Sequence, residues 1–136
     1  MFLLDTNVVS DLRRPDRANP GVLRWAESQD PEVSFLSAIS LLEIHVGVLR
    51  VERRDGPAGA LLRHWLDRKV VPSFEDRVLP IDGAVALQCA RLHVPDARPE
   101  RDALIAATAM VHGLTLVTRN TADFAPTGVP LLNPWT

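Results

Sequence analysis

The chain has 136 residues, 46% of them apolar and 24% charged, with a formal net charge of −2. That size and balance describe one compact globular domain spanning residues 1–136, and exclude a disordered or fibrous chain. No apolar stretch approaches the ~20 residues that cross a bilayer.

Phe2-Leu3-Leu4 is a short apolar run that stops abruptly at Asp5, and it reads as a buried strand. Asp5-Thr6-Asn7 supplies capping residues for a helix through about Leu12, stopped near Pro15. Met1 leads into this run with no basic n-region and no cleavage site, so no signal peptide is read. Asn19-Pro20 starts a second helix through Leu23, Trp25 and Ala26. Val33-Ser34-Phe35-Leu36 reads as a second strand, and Ser37 as the N-cap of a long helix from Ala38 to about Arg54. Asp55-Gly56-Pro57 breaks it, and a further helix is expected from about Ala58 to Val70, ended by Pro72.

Arg77-Val78-Leu79-Pro80-Ile81 looks like a third strand, followed by a helix capped by Asp82 and running through Leu92. Its Cys89 is the only cysteine, which allows no internal disulfide; among Val85, Ala86, Leu87 and Ala90 it reads as a small buried thiol. A cytoplasmic location is the expectation. Val94 to Pro99 is a loop, Glu100 to His112 an alanine-rich helix, and Gly113 its C′ residue. Leu114-Thr115-Leu116-Val117 is a fourth strand, Thr118-Arg119-Asn120 halts it, and Leu131-Leu132 forms a short final strand. Strands alternating with helices imply an α/β fold whose parallel sheet is covered on both faces.

The candidate chemistry lies in four acids. Open α/β sheets bind ligands beyond the C-terminal ends of their strands. Asp5 follows the first strand, and Asp123 follows the fourth in a turn ending at Phe124. Asp5 also serves as an N-cap, and Asp123 is equally explained as a turn aspartate. Glu43 lies between Ser40 and Gly47 on one stripe of an otherwise apolar helix, so small residues leave room to approach it. A glutamate on the solvent face accounts for it as well. Asp102 shares a face with Ile105, Ala106 and Ala109 at the start of a helix with little charge, a place that also suits a helix-dipole aspartate.

Taken together, the four acids suggest one pocket. Carboxylates crowded together raise one another's pKa unless a cation intervenes. An all-oxygen set suits Mg²⁺ or Mn²⁺ rather than zinc. Such sites perform phosphoryl chemistry. Thr6, Ser40 and Thr118 are candidates for hydrogen bonds that support the acids, and Asn120 for a loop support or a further oxygen ligand. His45, His64, His93 and His112 are scattered and read as surface or core-edge residues.

The negative net charge argues against a simple nucleic-acid-binding surface. The basic residues are nearly all arginine, Lys69 being the only lysine, with clusters at Arg13-Arg14-Arg17 and Arg50-Arg53-Arg54. Those clusters fit a solvated face or a partner interface as well as phosphate contacts.

Phe2-Leu3-Leu4-Asp5-Thr6-Asn7, Ser40-Leu41-Leu42-Glu43-Ile44 with Gly47, Asp102-Ala103-Leu104-Ile105-Ala106-Ala107-Thr108-Ala109, and Thr118-Arg119-Asn120 with Asp123-Phe124 occur in this order. In that order they resemble the PIN-domain ribonucleases, above all the VapC toxins of bacterial toxin–antitoxin pairs and their FitB-like branch. The resemblance covers essentially the whole chain, down to Leu132-Asn133-Pro134-Trp135. It implies a PIN-like three-layer sandwich with a central, mainly parallel sheet flanked by helices. It also implies an endoribonuclease dependent on Mg²⁺ or Mn²⁺, a homodimer with a possible higher toxin–antitoxin assembly, and a cognate VapB-type antitoxin. Metal binding and catalysis carry over onto Asp5, Glu43, Asp102 and Asp123, with Thr6, Asn7, Ser40, Thr118 and Asn120 in support. Pro99-Glu100-Arg101 stands where relatives often have an apolar lead-in, so Glu100 and Arg101 are expected to alter substrate access.

Two other readings compete. A non-catalytic interaction module would tolerate loss of one of the acids, and none is lost. A haloacid-dehalogenase-type phosphatase also begins strand-Asp, but it needs a second aspartate where Asn7 stands.

Overall fold

The computed structural model describes residues 1–136. Five strands, β1 (Phe2–Leu4), β2 (Ser34–Ser37), β3 (Val78–Leu79), β4 (Thr115–Val117) and β5 (Leu131–Leu132), form one sheet in the order β3-β2-β1-β4-β5. Every pairing is parallel. From the central β1 the chain builds outward to β2 and β3 on one side, then crosses back to β4 and β5 on the other. The order therefore reverses between β1 and β4, where the strand ends of an open sheet leave a crevice.

The helices are α1 (Thr6–Asp11), α2 (Pro20–Ser28), α3 (Ala38–Arg54), α4 (Gly56–Trp65), α5 (Val71–Ser73), α6 (Gly83–Leu92), α7 (Glu100–His112) and α8 (Thr121–Phe124). Alternation along the strands splits the core into two layers. Leu3 and Leu116 face a cluster with Val85, Cys89 and the buried alanines of α7. Leu4 and Val117 face the opposite cluster, with Val8, Val22, Ile44 and Val48. Leu3 and Leu116 are fully buried, which contributes about 1.5–3 kcal/mol each. The sheet is thus covered on both faces, as its alternating pattern implied.

Each expected strand forms. β3 is shorter than expected because Pro80 has no N–H to continue the ladder. α4 starts at Gly56, with Pro57 in its first turn, rather than at Ala58. Pro72 does not end the segment as expected. A π turn over Leu66–Val70 follows α4, and Pro72 enters the first turn of α5, where a missing N–H costs little. Gly113 closes α7 with φ 65°, a left-handed conformation that suits glycine. The turn expected around Asp123 is instead the one-turn helix α8, anchored by the buried Phe124. No helix is long and apolar enough to cross a membrane.

Candidate active site

Strand register creates the first contact of the site. Leu4 pairs with Val117, and the Asp5 N–H donates to the Val117 carbonyl at 2.9 Å. The next residue on each strand, Asp5 and Thr118, therefore lie side by side at the reversal of strand order. Asp5 is 7% exposed. Its Oδ1 accepts from the Thr6 N–H at 2.8 Å, which caps α1, and its Oδ2 accepts from the Thr118 hydroxyl at 2.7 Å.

Thr6 then ties this junction to α3. Its hydroxyl donates to Oε1 of Glu43 at 2.8 Å. Glu43 reaches this place because Ser37 ends β2 and caps α3 directly, its hydroxyl accepting from the Ile39 N–H at 3.1 Å. Along the expected stripe, Ser40 is buried, Glu43 half-buried and Gly47 exposed. A Cβ at Gly47 would meet nothing within 4 Å, so the approach to Glu43 from that side is open.

Asp102 stands half-buried in the first turn of α7, next to the fully buried Ala103 and one turn before the buried run Ile105–Ala109. Asp123 stands exposed on α8. Electrostatics links the four acids. Burial raises the Asp5 carboxyl above its ordinary 3.8, the bonds from Thr118 and Thr6 pull it partly back, and the charges of Glu43 and Asp102 raise it further. Burial also raises Asp102, with the charges of Glu43 and Asp123 adding to it. Asp5 thus feels the charges of Glu43 and Asp102, and Asp102 those of Glu43 and Asp123.

The donor set fits a hard divalent cation. All four acids offer oxygen, and the destabilised charged forms of Asp5 and Asp102 are what such a cation relieves. The buried Oδ1 of Asn7 has no hydrogen-bond partner, although its Nδ2 reaches Asp5 and Thr118 at 3.4 Å each. An unpaired buried oxygen beside the acids is a further donor open to a cation or its water.

The supporting residues divide. Thr6, Asn7 and Thr118 contact acids or one another. Ser40 does not make the expected bond: its buried hydroxyl has no partner. Asn120 contributes its backbone N–H to Thr118 Oγ1 at 3.0 Å, and its side chain makes no hydrogen bond to an acid. The two cavities of the molecule, about 170 and 220 Å³, lie elsewhere, beside Leu4, Leu12, Ser73 and Phe74, and no member of the acid quartet lines either.

A second cluster was not foreseen as a group. Cys89 Sγ lies 3.7 Å from both His93 Nε2 and Glu100 Oε1, and His93 Nε2 lies 3.3 Å from Glu100 Oε2. The signal available was the i, i+4 spacing of Cys89 and His93. This cluster is closed by its own hydrogen bonds. The Arg98 N–H donates to His93 Nδ1 at 3.1 Å, so the neutral ring carries its proton on Nε2, the nitrogen that faces the other two groups. A metal ion at Nε2 would need that proton removed and the Arg98 contact broken. Burial, the Glu100 charge and its hydrogen bond push the Cys89 thiol up, so it stays protonated.

A five-stranded parallel sheet covered by helices on both faces, with Asp5 at the reversal of strand order, defines the class as an open-sheet α/β domain. The chain belongs to the PIN domain family, whose sequence pattern matches residues 2–128. It is 36% identical to VapC ribonuclease Y4jK of Sinorhizobium fredii, over 99% of this chain and 98% of that protein. It is 37% identical to Toxin FitB of Neisseria gonorrhoeae, over 99% of both chains. The crystal structure of FitAcB from Neisseria gonorrhoeae superposes with a TM-score of 0.90 at 36% identity, covering 99% of each chain.

Proposed function

We propose that this chain is an endoribonuclease dependent on Mg²⁺ or Mn²⁺ and the toxin of a VapBC-type toxin–antitoxin pair. The observation that carries this reading is the hydrogen-bonded junction at the β1–β4 crevice, where Thr118 holds Asp5 and Thr6 holds Glu43, with Asp102 coupled to both by charge and Asp123 to Asp102. Its support from relatives is full-length similarity to a protein named a ribonuclease and another named a toxin.

The chain's own residues prepare the site. Thr118 and the α1 cap fix both oxygens of Asp5, which removes rotamer freedom before any ligand arrives. Thr6 holds Oε1 of Glu43 and leaves Oε2 without a hydrogen bond. Asp102, coupled by charge to Asp5 and Glu43, and Asp123, coupled to Asp102, would complete the oxygen set. A divalent cation bound there supplies a more acidic attacking water and positive charge at the scissile phosphate. Without it, the cluster repels the phosphate backbone, so RNA engagement should follow metal loading.

The proposed partners are RNA, a cognate VapB-type antitoxin and a second copy of the chain. Leu42 and Leu49, exposed on the outer stripe of α3, give a homodimer apolar surface to bury.

The test is cleavage of mixed RNA by antitoxin-free protein. Cleavage is expected with Mn²⁺, and none with EDTA or with Asp5→Ala. Intact RNA under all three conditions, with Asp102→Ala still as growth-inhibitory as the wild type, would refute the catalytic reading.

A further inference from the structure

One basic side chain reaches the acid cluster. Arg101 Nη1 lies 3.9 Å from Oε2 of Glu43, and no other ion pair involves any of the four acids. Oε1 of Glu43 already accepts from Thr6. Arg101 therefore stands at the one Glu43 oxygen left free for a cation.

Helix stability does not explain an arginine at this place. Arg101 is the second residue of α7, where the positive end of the helix dipole disfavours a cation. Its neighbours Glu100 and Asp102 carry the charge that suits the position. The pair is also loose. At 3.9 Å, with the arginine side chain 52% exposed, it lacks the short bidentate geometry of a strong ion pair. A phosphodiester offers the planar guanidinium a better-matched partner than one carboxylate oxygen at this distance.

We propose that Arg101 is a positioning residue that exchanges partners: it neutralises Glu43 in the metal-free protein and holds an RNA phosphate once Glu43 is engaged by the cation. This rests on the nuclease reading above. The exchange couples the two ligands. Metal entry must displace the guanidinium from Glu43, and the displaced guanidinium then favours RNA.

The test uses the full chain as wild type, Arg101→Gln and Arg101→Lys. Mn²⁺ is first titrated calorimetrically without RNA. Arg101→Gln binds Mn²⁺ about two- to fivefold more tightly, the range that an exposed ion pair spans, and Arg101→Lys stays near the wild type. A fluorescein-labelled RNA oligonucleotide of mixed sequence, made with hydrolysis-resistant phosphorothioate linkages, is then bound in Mn²⁺ to the same three chains, so that all four acids stay in place. Arg101→Gln weakens this binding and lowers the slope of log Kd against log salt by about 0.7, the loss of one phosphate contact on a single strand. Arg101→Lys retains the slope.

Unchanged Mn²⁺ affinity or an unchanged salt slope in Arg101→Gln overturns the exchange and leaves the nuclease reading standing. Absence of Mn²⁺ uptake, or of RNA binding, in chains that keep Arg101 overturns the nuclease reading and the exchange with it.

Discussion

The hydroxyl of Thr118 donates a 2.7 Å hydrogen bond to Oδ2 of Asp5, so the ends of β4 and β1 are joined through side chains as well as through the sheet. Thr118 is fully buried, and its oxygen also accepts from the Asn120 N–H. One hydroxyl thus orients the central acid and pins the loop that leads to Asp123.

Thr118→Val keeps the shape and deletes the hydroxyl. It should cost about 1–3 kcal/mol, because a buried carboxylate oxygen and a backbone N–H lose their partner. Thr118 lowers the Asp5 pKa, so its loss should also shift the pH midpoint of Mn²⁺ binding upward. Urea unfolding and Mn²⁺ titrations across pH check both effects. An unmoved midpoint would show that this bond does not set the Asp5 charge.

The raised carboxyls of Asp5 and Asp102 give the metal-free protein a characteristic pH dependence. Their folded pKa lies above the unfolded value, so the folded chain binds protons more firmly than the unfolded chain. That contribution is fully present below the ordinary value of 3.8 and is lost as pH rises through the folded values. Asp102 is the cleaner probe, since burial is the main cause of its shift and no hydrogen bond compensates it. Asp102→Asn should raise the Tm of the metal-free protein at neutral pH while reducing RNA cleavage by about a hundredfold or more. The Tm gain should fade on acidification. A gain that is equal at all pH values would mean that the charge of Asp102 is not what strains the fold.

Away from the site, α3 and α4 approach closely at Gly59. A Cβ there would lie 2.5 Å from the Glu52 Cα, and backbone cannot yield as a side-chain tip can. Gly59→Ala should therefore destabilise the chain by about 1–3 kcal/mol through overpacking. Chemical denaturation reads this loss. Mn²⁺ affinity of the folded fraction should stay at the wild-type level, which separates a packing defect from a site defect.

Much of this was legible in the sequence because local rules and the global fold agree. Phe2-Leu3-Leu4 stopping at Asp5, Ser37 before Ala38, and Gly113 after His112 each mark an element end with its own chemistry, and each end falls where expected. Asp5, Glu43 and Asp102 stood out because each acid borders an apolar element. Less was legible where the outcome depends on partners distant in the chain. The Thr6–Glu43 bond spans 37 positions and the Thr118–Asp5 bond 113, and no spacing rule announces either. The unpartnered hydroxyl of Ser40 and the backbone role of Asn120 also follow from packing rather than residue type. Pro72 misled because proline ends most helices, whereas here it enters a new first turn after a π turn.

The central claim is that Asp5, Glu43, Asp102 and Asp123 form one divalent-cation site. Calorimetric titration of Mn²⁺ into the metal-free chain, repeated in buffers of different ionisation enthalpy, tests it most directly. The account predicts saturable binding, accompanied by proton release where the pH is low enough to protonate the raised carboxyls, and loss of that binding in Asp5→Ala. No Mn²⁺ uptake by the wild type, or equal uptake by Asp5→Ala, would contradict it.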